Sequence, residues 1–142
     1  MLIARSELEQ MIPHDQQMCL LDEVVEWNQQ NIVCITSSHR YAYNPLLTGA
    51  RLGGMVLVEY GAQAAAIHVA LIQQGFTAPQ SAYLGAIKEL TLHADFIEQV
   101  EGALRVEADC ILSRMGGAIY SIQVMSTDQP LITARISLLQ GE

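Results

Sequence analysis

Glu59 is the only residue with a fixed charge between Leu52 and Ile87. It stands in GGMVLVEYGAQAAAIHVAL, residues 53–71, the most apolar stretch of the chain. Removal from water favours the protonated form of a carboxyl group, and a carboxyl near its protonation equilibrium suits general acid or base work. Gln63 follows one helical turn later, about 40° around the axis, so the two side chains share a face. Its amide can orient the carboxyl group or hold a polar substrate group. The plainer role for Glu59 is an acid near a helix start, where the macrodipole favours it. His39 is the second candidate. It opens a polar, glycine-containing segment, HRYAYNPLLTGARLGG, of the kind that often carries site residues. It can serve as a base beside an acid, or be a solvated loop histidine next to Arg40. His14, after Pro13, has the same status in weaker context. His68 comes nine positions after Glu59, about 180° around a helix, which points to packing or an interface. His93 reads as structural.

These residues need elements to place them. Ser6 and Glu9 have the spacing of a capping box, opening a short helix before Pro13. MCLLDEVVEWN and NIVCITSS are apolar, β-branched runs joined by polar residues and read as paired strands. The Asn-Pro and glycine content of residues 39–54 marks a loop. The long helix is expected from about Gly54 to Gly75, where a glycine can cap it. Beyond Pro79 the pattern turns to strands. In GALRVEADCILSRMG, Leu104, Val106, Ala108, Cys110 and Leu112 alternate with polar residues, so the strand has one dry and one wet face. Gly116-Gly117 signals a hairpin. AIYSIQVMST and LITARISLLQ complete a meander. Helix and strands do not alternate, so a doubly wound parallel sheet is excluded in favour of an antiparallel sheet on one helix. That helix is apolar on nearly every face and must be covered all round, by the curved sheet or by a second subunit. The whole chain, 1–142, is expected to form one α+β domain.

Composition narrows the function. The 142 residues carry a net charge of −8 and are 51% hydrophobic against 15% charged. An acidic chain lacks the basic face that nucleic acid requires. The high apolar content implies a large buried interface or a cavity for an apolar ligand. A membrane span is disfavoured, because Glu59, Gln63 and His68 would each be costly at bilayer depth. Cys19, Cys34 and Cys110 lack metal-ligand spacing and are expected as buried free thiols of a reducing, cytoplasmic compartment. The N-terminal residues turn polar at once, unlike a signal peptide. TGARLGG lacks the Lys-Ser/Thr of a phosphate loop, and LVEYG lacks the serine of a nucleophile elbow. Neither a metal nor a cofactor is expected.

Three segments carry a family resemblance. IPHDQQMCLLDEVVEW (12–27), NPLLTG (44–49) and VLVEYGAQAAAI (56–67) resemble the hot-dog-fold 3-hydroxyacyl-acyl-carrier-protein dehydratases, with a Leu-Pro-His opening, a Pro-Phe-Phe-Thr-Gly approach to the site and a Leu-Glu-Ala-Met-Ala-Gln-Ala helix. SSHRYAYNPLLTGARL brings the chain nearer to a divergent branch, the dehydratase-like proteins of aryl-polyene-type pathways. The resemblance implies an antiparallel sheet wrapped around a long central helix, a dimer, and a site at its interface. There a histidine of one subunit and a glutamate of the other remove water from a 3-hydroxyacyl thioester. Glu59 stands at the glutamate position. The family's histidine, directly after Thr-Gly, is absent: Ala50 stands there. Either His39 replaces it or a paralogous partner supplies it.

On this resemblance Glu59 and His39 are the expected catalytic pair, with Gln63 and Asn44 on the substrate. A backbone N–H at the helix start, of Gly53 or Gly54, is expected to receive the enolate-like oxygen. The expected partners are an acyl carrier protein or coenzyme A thioester and a homodimeric or heterodimeric mate. A carrier is itself acidic, so docking needs local cations, for which Arg40, Arg51 and Lys88 are candidates. A thioesterase on the same fold, or a non-catalytic partner subunit, are the competing functions.

Overall fold

The computed structural model describes residues 2–11, 19–73, 82–114, 116–127 and 129–140. Strand β1 (Ile3–Ala4) leads into helix α1 (Arg5–Met11), followed by β2 (Glu23–Trp27) and β3 (Asn31–Thr36). A loop then carries the chain to a 3-10 turn, Gly54–Val56, and the long helix α2 (Leu57–Ile72). Four strands follow: β4 (Ala82–Leu92), β5 (Leu104–Arg114), β6 (Gly117–Met125) and β7 (Pro130–Gln140). Among the described residues, seven strands join one antiparallel sheet in the order β1-β2-β3-β5-β6-β7-β4. The expected hot-dog arrangement is what forms: the sheet curls around α2.

The alternation in β5, β6 and β7 builds the wall that meets the helix. Val106, Ala108, Tyr120, Ile122, Val124, Ile132, Ala134 and Ile136 are buried on one face, as period-2 patterning requires. Small residues let α2 approach closely. A Cβ on Gly61 would run into the side chain of Ile122 in β6. Eleven residues of α2 are buried, His68 among them. The helix from Gly54 to Ile72 is long and apolar enough to cross a membrane by length and composition, yet more than half of it is buried in the protein. Its hydrophobicity is that of a core helix under a sheet.

His68 is a packed core histidine, as its place opposite Glu59 implied. Its Nε2 lies 2.7 Å from the Asn28 carbonyl and its Nδ1 2.6 Å from the Tyr120 hydroxyl. A carbonyl only accepts, so Nε2 carries the proton and Nδ1 accepts from Tyr120. Burial pushes the imidazole below its ordinary value, the Asn28 bond opposing that shift.

Four local expectations change. Helix α1 begins at Arg5, so Ser6 lies inside its first turn; Arg5 instead pairs with Glu9 at 3.5 Å. A register shift between Cys110 and Leu112 turns Leu112 to the outer face opposite Ile119, where it is exposed. The dry face of β5 therefore ends at Cys110, which is only partly buried, while Cys19 and Cys34 are buried free thiols. His93 follows β4 and is exposed, its N–H bonding the Leu131 carbonyl. Pro13, His14, Gly75 and Pro79 lie outside the described residues.

Candidate active site

Helix α2 leaves one stripe uncovered. Met55, Glu59, Gln63, Ala66 and Ala70 are not buried, and only Val56 and Ile72, at the two ends, are partly exposed beside them. The first five fall within about 80° of one another around the axis. Glu59 is thus exposed in this chain, so its own fold does not take the carboxyl out of water. Strands β3, β5, β6 and β7 and helix α1 pack against α2. Gln63 shares the stripe as expected, but its amide oxygen accepts the Leu20 N–H at 2.9 Å. One end of that side chain is a fastener between α2 and the chain before β2.

The 3-10 turn Ser38–Arg40 carries His39, which is buried at 1% exposure rather than solvated. Its Nε2 lies 2.7 Å from the Val100 carbonyl and so donates. Its Nδ1 is buried with no hydrogen-bond partner among the described residues. Burial holds the imidazole below its ordinary value, partly opposed by the Val100 bond and reinforced by the neighbouring Arg40. Asp22 clamps both ends of this turn. One of its oxygens accepts the Ser37 N–H at 2.7 Å and the Tyr41 hydroxyl at 2.9 Å, and the other takes Arg5 at 2.7 Å. Burial and this carboxylate push the Tyr41 phenol up to about 12, so it stays a donor.

Asn44 is buried and turned inward. Its Nδ2 donates to the Ser38 carbonyl and to the Tyr60 hydroxyl, each at 2.9 Å. Its Oδ1 accepts the Leu46 N–H at 2.8 Å. Its amide organises the loop and offers a substrate little, against the role expected of it. Next comes an exposed turn, Thr48 to Arg51, closed by bonds between its two ends, with Gly49 at φ 63°. A left-handed residue at this place favours glycine. Ala50 sits exposed at its tip.

Gly53 and Gly54 pair with the chain between β4 and β5. Gly54 donates its N–H to the Asp95 carbonyl at 2.7 Å, and Ile97 donates to the Leu52 carbonyl at 2.9 Å. Gly54 therefore cannot present that N–H to a substrate oxygen, which removes it as the expected donor. A Cβ there would also collide with the Ala94 carbonyl oxygen. The Gly53 N–H lies outside this pair of bonds and is the one donor of the two left for the role.

Arg51 and Arg40 both turn to the same segment. Arg51 lies 3.2 Å from Glu98 and 3.7 Å over the Phe96 ring. Arg40 reaches the Gln99 and Val100 carbonyls at 3.2 and 3.4 Å. Glu98 also accepts the Leu52 N–H at 2.7 Å. That bond, with Arg51 beside it, holds its carboxyl below the usual range. Among the described residues Arg40 thus bonds carbonyls and no carboxylate, whereas Arg51 is paired with Glu98.

Tyr60, Ser38, Asp22 and Glu98 organise this region, and none was selected from sequence. The signal for Asp22 was legible: an acid directly after the apolar pair in CLLDEVV. No group of three or more potential metal ligands occurs among the described residues. The chemistry on offer is a carboxyl on an uncovered helix stripe and, with no partner among the described residues, a buried imidazole nitrogen and the Gly53 N–H at the helix start.

Solved structures share the fold. The dehydratase heterocomplex ApeI:P from Xenorhabdus doucetiae superposes with a TM-score of 0.79 at 18% identity, over 95% of this chain and 91% of that one. A mutant of the thioesterase PA1618 from Pseudomonas aeruginosa gives 0.57 at 12% identity, over 82% and 78%. A hypothetical thioesterase with coenzyme A from Streptococcus pneumoniae gives 0.59 at 11%, over 84% of each. No curated protein matches the sequence. A family model, described as ApeP dehydratase, matches residues 6–142. With that match spanning all but the first five residues, the chain belongs to the ApeP-like dehydratase family.

Proposed function

We propose that this chain is a subunit of a 3-hydroxyacyl-thioester dehydratase of fatty acid or polyene lipid synthesis, in which Glu59 is the reacting carboxyl and a paralogous subunit supplies the missing histidine. One observation carries the reading: the lone acid of an otherwise apolar helix lies on the stripe the sheet leaves uncovered, while Ala50 occupies the exposed turn where the family's histidine is expected. A second subunit over that stripe would take Glu59 out of water and complete the pair. The heterocomplex of ApeI:P, a similar fold, supports a paralogue over a second identical copy.

The chemistry follows from the groups present. A base removes the α-proton from C2 while a carboxylic acid protonates the departing C3 hydroxyl, giving water and a C2–C3 double bond. The Gly53 N–H receives the charge growing on the thioester oxygen. A pantetheine thioester is the substrate class, on an acyl carrier protein or coenzyme A. Arg40 is the docking cation for an acidic carrier, since among the described residues it bonds carbonyls and no carboxylate. Buried free Cys19 and Cys34 suit a reducing cytoplasm.

A second reading rests on the Nδ1 of His39, unmet among the described residues. A buried acceptor without a partner calls for an explanation, and a base awaiting a substrate proton is one. The two readings separate on purification. The partner reading expects the chain alone to be inactive in crotonyl-thioester hydration and active once co-purified with a histidine-bearing paralogue. Activity of the lone chain that is lost in His39→Ala supports the second reading. Release of free thiol in place of an enoyl product marks a thioesterase and overturns both.

A further inference from the structure

Tyr60 follows Glu59 directly and so points about 100° away from it around the helix. Glu59 faces the uncovered stripe, and Tyr60 is fully buried. The Tyr60 hydroxyl lies 2.9 Å from both Ser38 Oγ and Asn44 Nδ2. Ser38 Oγ also lies 2.6 Å from the Leu20 carbonyl. A hydroxyl has one hydrogen and a carbonyl only accepts. Ser38 therefore donates to Leu20, Tyr60 donates to Ser38, and Asn44 donates to Tyr60. The second Asn44 hydrogen goes to the Ser38 carbonyl, and Thr36 Oγ1 joins Ser38 on the Leu20 oxygen at 2.6 Å. Each hydroxyl hydrogen has one acceptor, so the network admits one arrangement. Burial keeps the Tyr60 phenol protonated, its pKa raised against the pull of the Ser38 and Asn44 bonds.

Leu20 is the common post. Its carbonyl reaches Tyr60 through Ser38, and its N–H reaches Gln63 directly. Two consecutive turns of α2 are thereby tied to one backbone unit. Gly61 lets this part of the helix close on Ile122, and Ala62, Ala64 and Ala65 are buried beside it. Directional bonds at positions 60 and 63 set the rotation of the turn that holds Glu59.

We infer that Tyr60 is a positioning residue for the reaction, its buried hydroxyl locking to the Ser38–Asn44 loop the helix turn that presents Glu59 on the uncovered stripe. This rests on Glu59 being the reacting carboxyl. Positioning errors of about 1 Å are enough to slow an enzyme about a hundredfold.

The test is Tyr60→Phe in the active assembly, assayed with crotonyl thioester well below the variant's melting midpoint, where native and variant are both folded. The inference expects kcat to fall roughly tenfold to a hundredfold with KM within about twofold. In a Glu59→Asp background, whose carboxyl is already displaced, Tyr60→Phe should add less than half of that logarithmic loss. A Tyr60→Phe protein that melts lower yet keeps its kcat would make Tyr60 merely structural and overturn the inference. So would equal losses in both backgrounds. Should Tyr60→Phe not fold, Ser38→Ala removes the acceptor of the phenol and must show the same split between kcat and KM. Full activity in Glu59→Gln overturns the site assignment itself, and this inference with it.

Discussion

The hydroxyls of Ser38 and Tyr60 lie 2.9 Å apart. Each residue is the sequence neighbour of a candidate catalytic group, His39 after Ser38 and Glu59 before Tyr60. The loop and the helix turn that matter most are thus joined by a buried bond rather than by the candidates themselves. No hydrogen bond links His39 to Glu59 within one chain among the described residues, and Glu59 opens outward. That geometry favours a site finished from outside the chain.

Asn44 should behave as part of this network. Asn44→Ala removes donors to Ser38 and Tyr60 and the acceptor of Leu46. It should destabilise the fold by about 2–3 kcal/mol, because buried polar groups are left unpaired. Urea unfolding measures this. A variant as stable as the parent would contradict the proton assignment.

Gly54 and Gly53 should respond oppositely to alanine. A Cβ on Gly54 meets the Ala94 carbonyl oxygen and the Leu92 side chain, so Gly54→Ala should cost about 3 kcal/mol or more, or yield insoluble protein. Gly53 has φ −68° and ψ 145°, with its nearest neighbour 4.0 Å from a new Cβ. Gly53→Ala should fold with a midpoint equal to the parent's or slightly above it.

His39 and His68 make stability depend on pH in one direction. Both are held below the ordinary imidazole value of 6.5 by burial. The unfolded chain therefore binds these protons first as pH falls. Their contribution is fully present above about pH 6.5 and is lost as pH drops below it. The urea midpoint should be flat from about pH 8 to 7 and decline below about 6.5. His68→Gln should lower stability at pH 8 and flatten that decline. A midpoint that rises on acidification would contradict the assignment of both rings as buried and neutral.

Arg40 and Arg51 should differ as docking residues. Arg40→Glu should raise KM for a carrier-bound acyl group and spare a pantetheine-only analogue. Arg51→Glu should instead lower the melting midpoint, since it places two carboxylates together against Phe96. Equal effects of Arg40→Glu on both substrates would count against docking there.

Much of the fold was legible because it rests on periodicity. The run through residues 54–72 and the alternation from Leu104 to Cys110 each belong to one element and need no partner to be read. The bulge after Cys110 was not legible, since it depends on the register against β6. Site residues divided the same way. Glu59 was visible as a lone charge in an apolar run, but its exposure depends on where the sheet stops. Asn44, taken for a substrate contact, proved to be a fastener because its partners, Ser38 and Tyr60, are loop and helix atoms that only the folded chain brings together. Glu98 was missed for the same reason: its carboxylate bonds a backbone N–H far along the chain, at Leu52.

The most direct measurement is the rate of crotonyl-thioester hydration by the purified assembly carrying Glu59→Gln. This substitution keeps the shape of the side chain and removes its acid. With Glu59 as the reacting carboxyl, kcat should fall about a hundredfold or more, with the melting midpoint close to that of the parent. Hydration at the parent rate would remove Glu59 from the reaction.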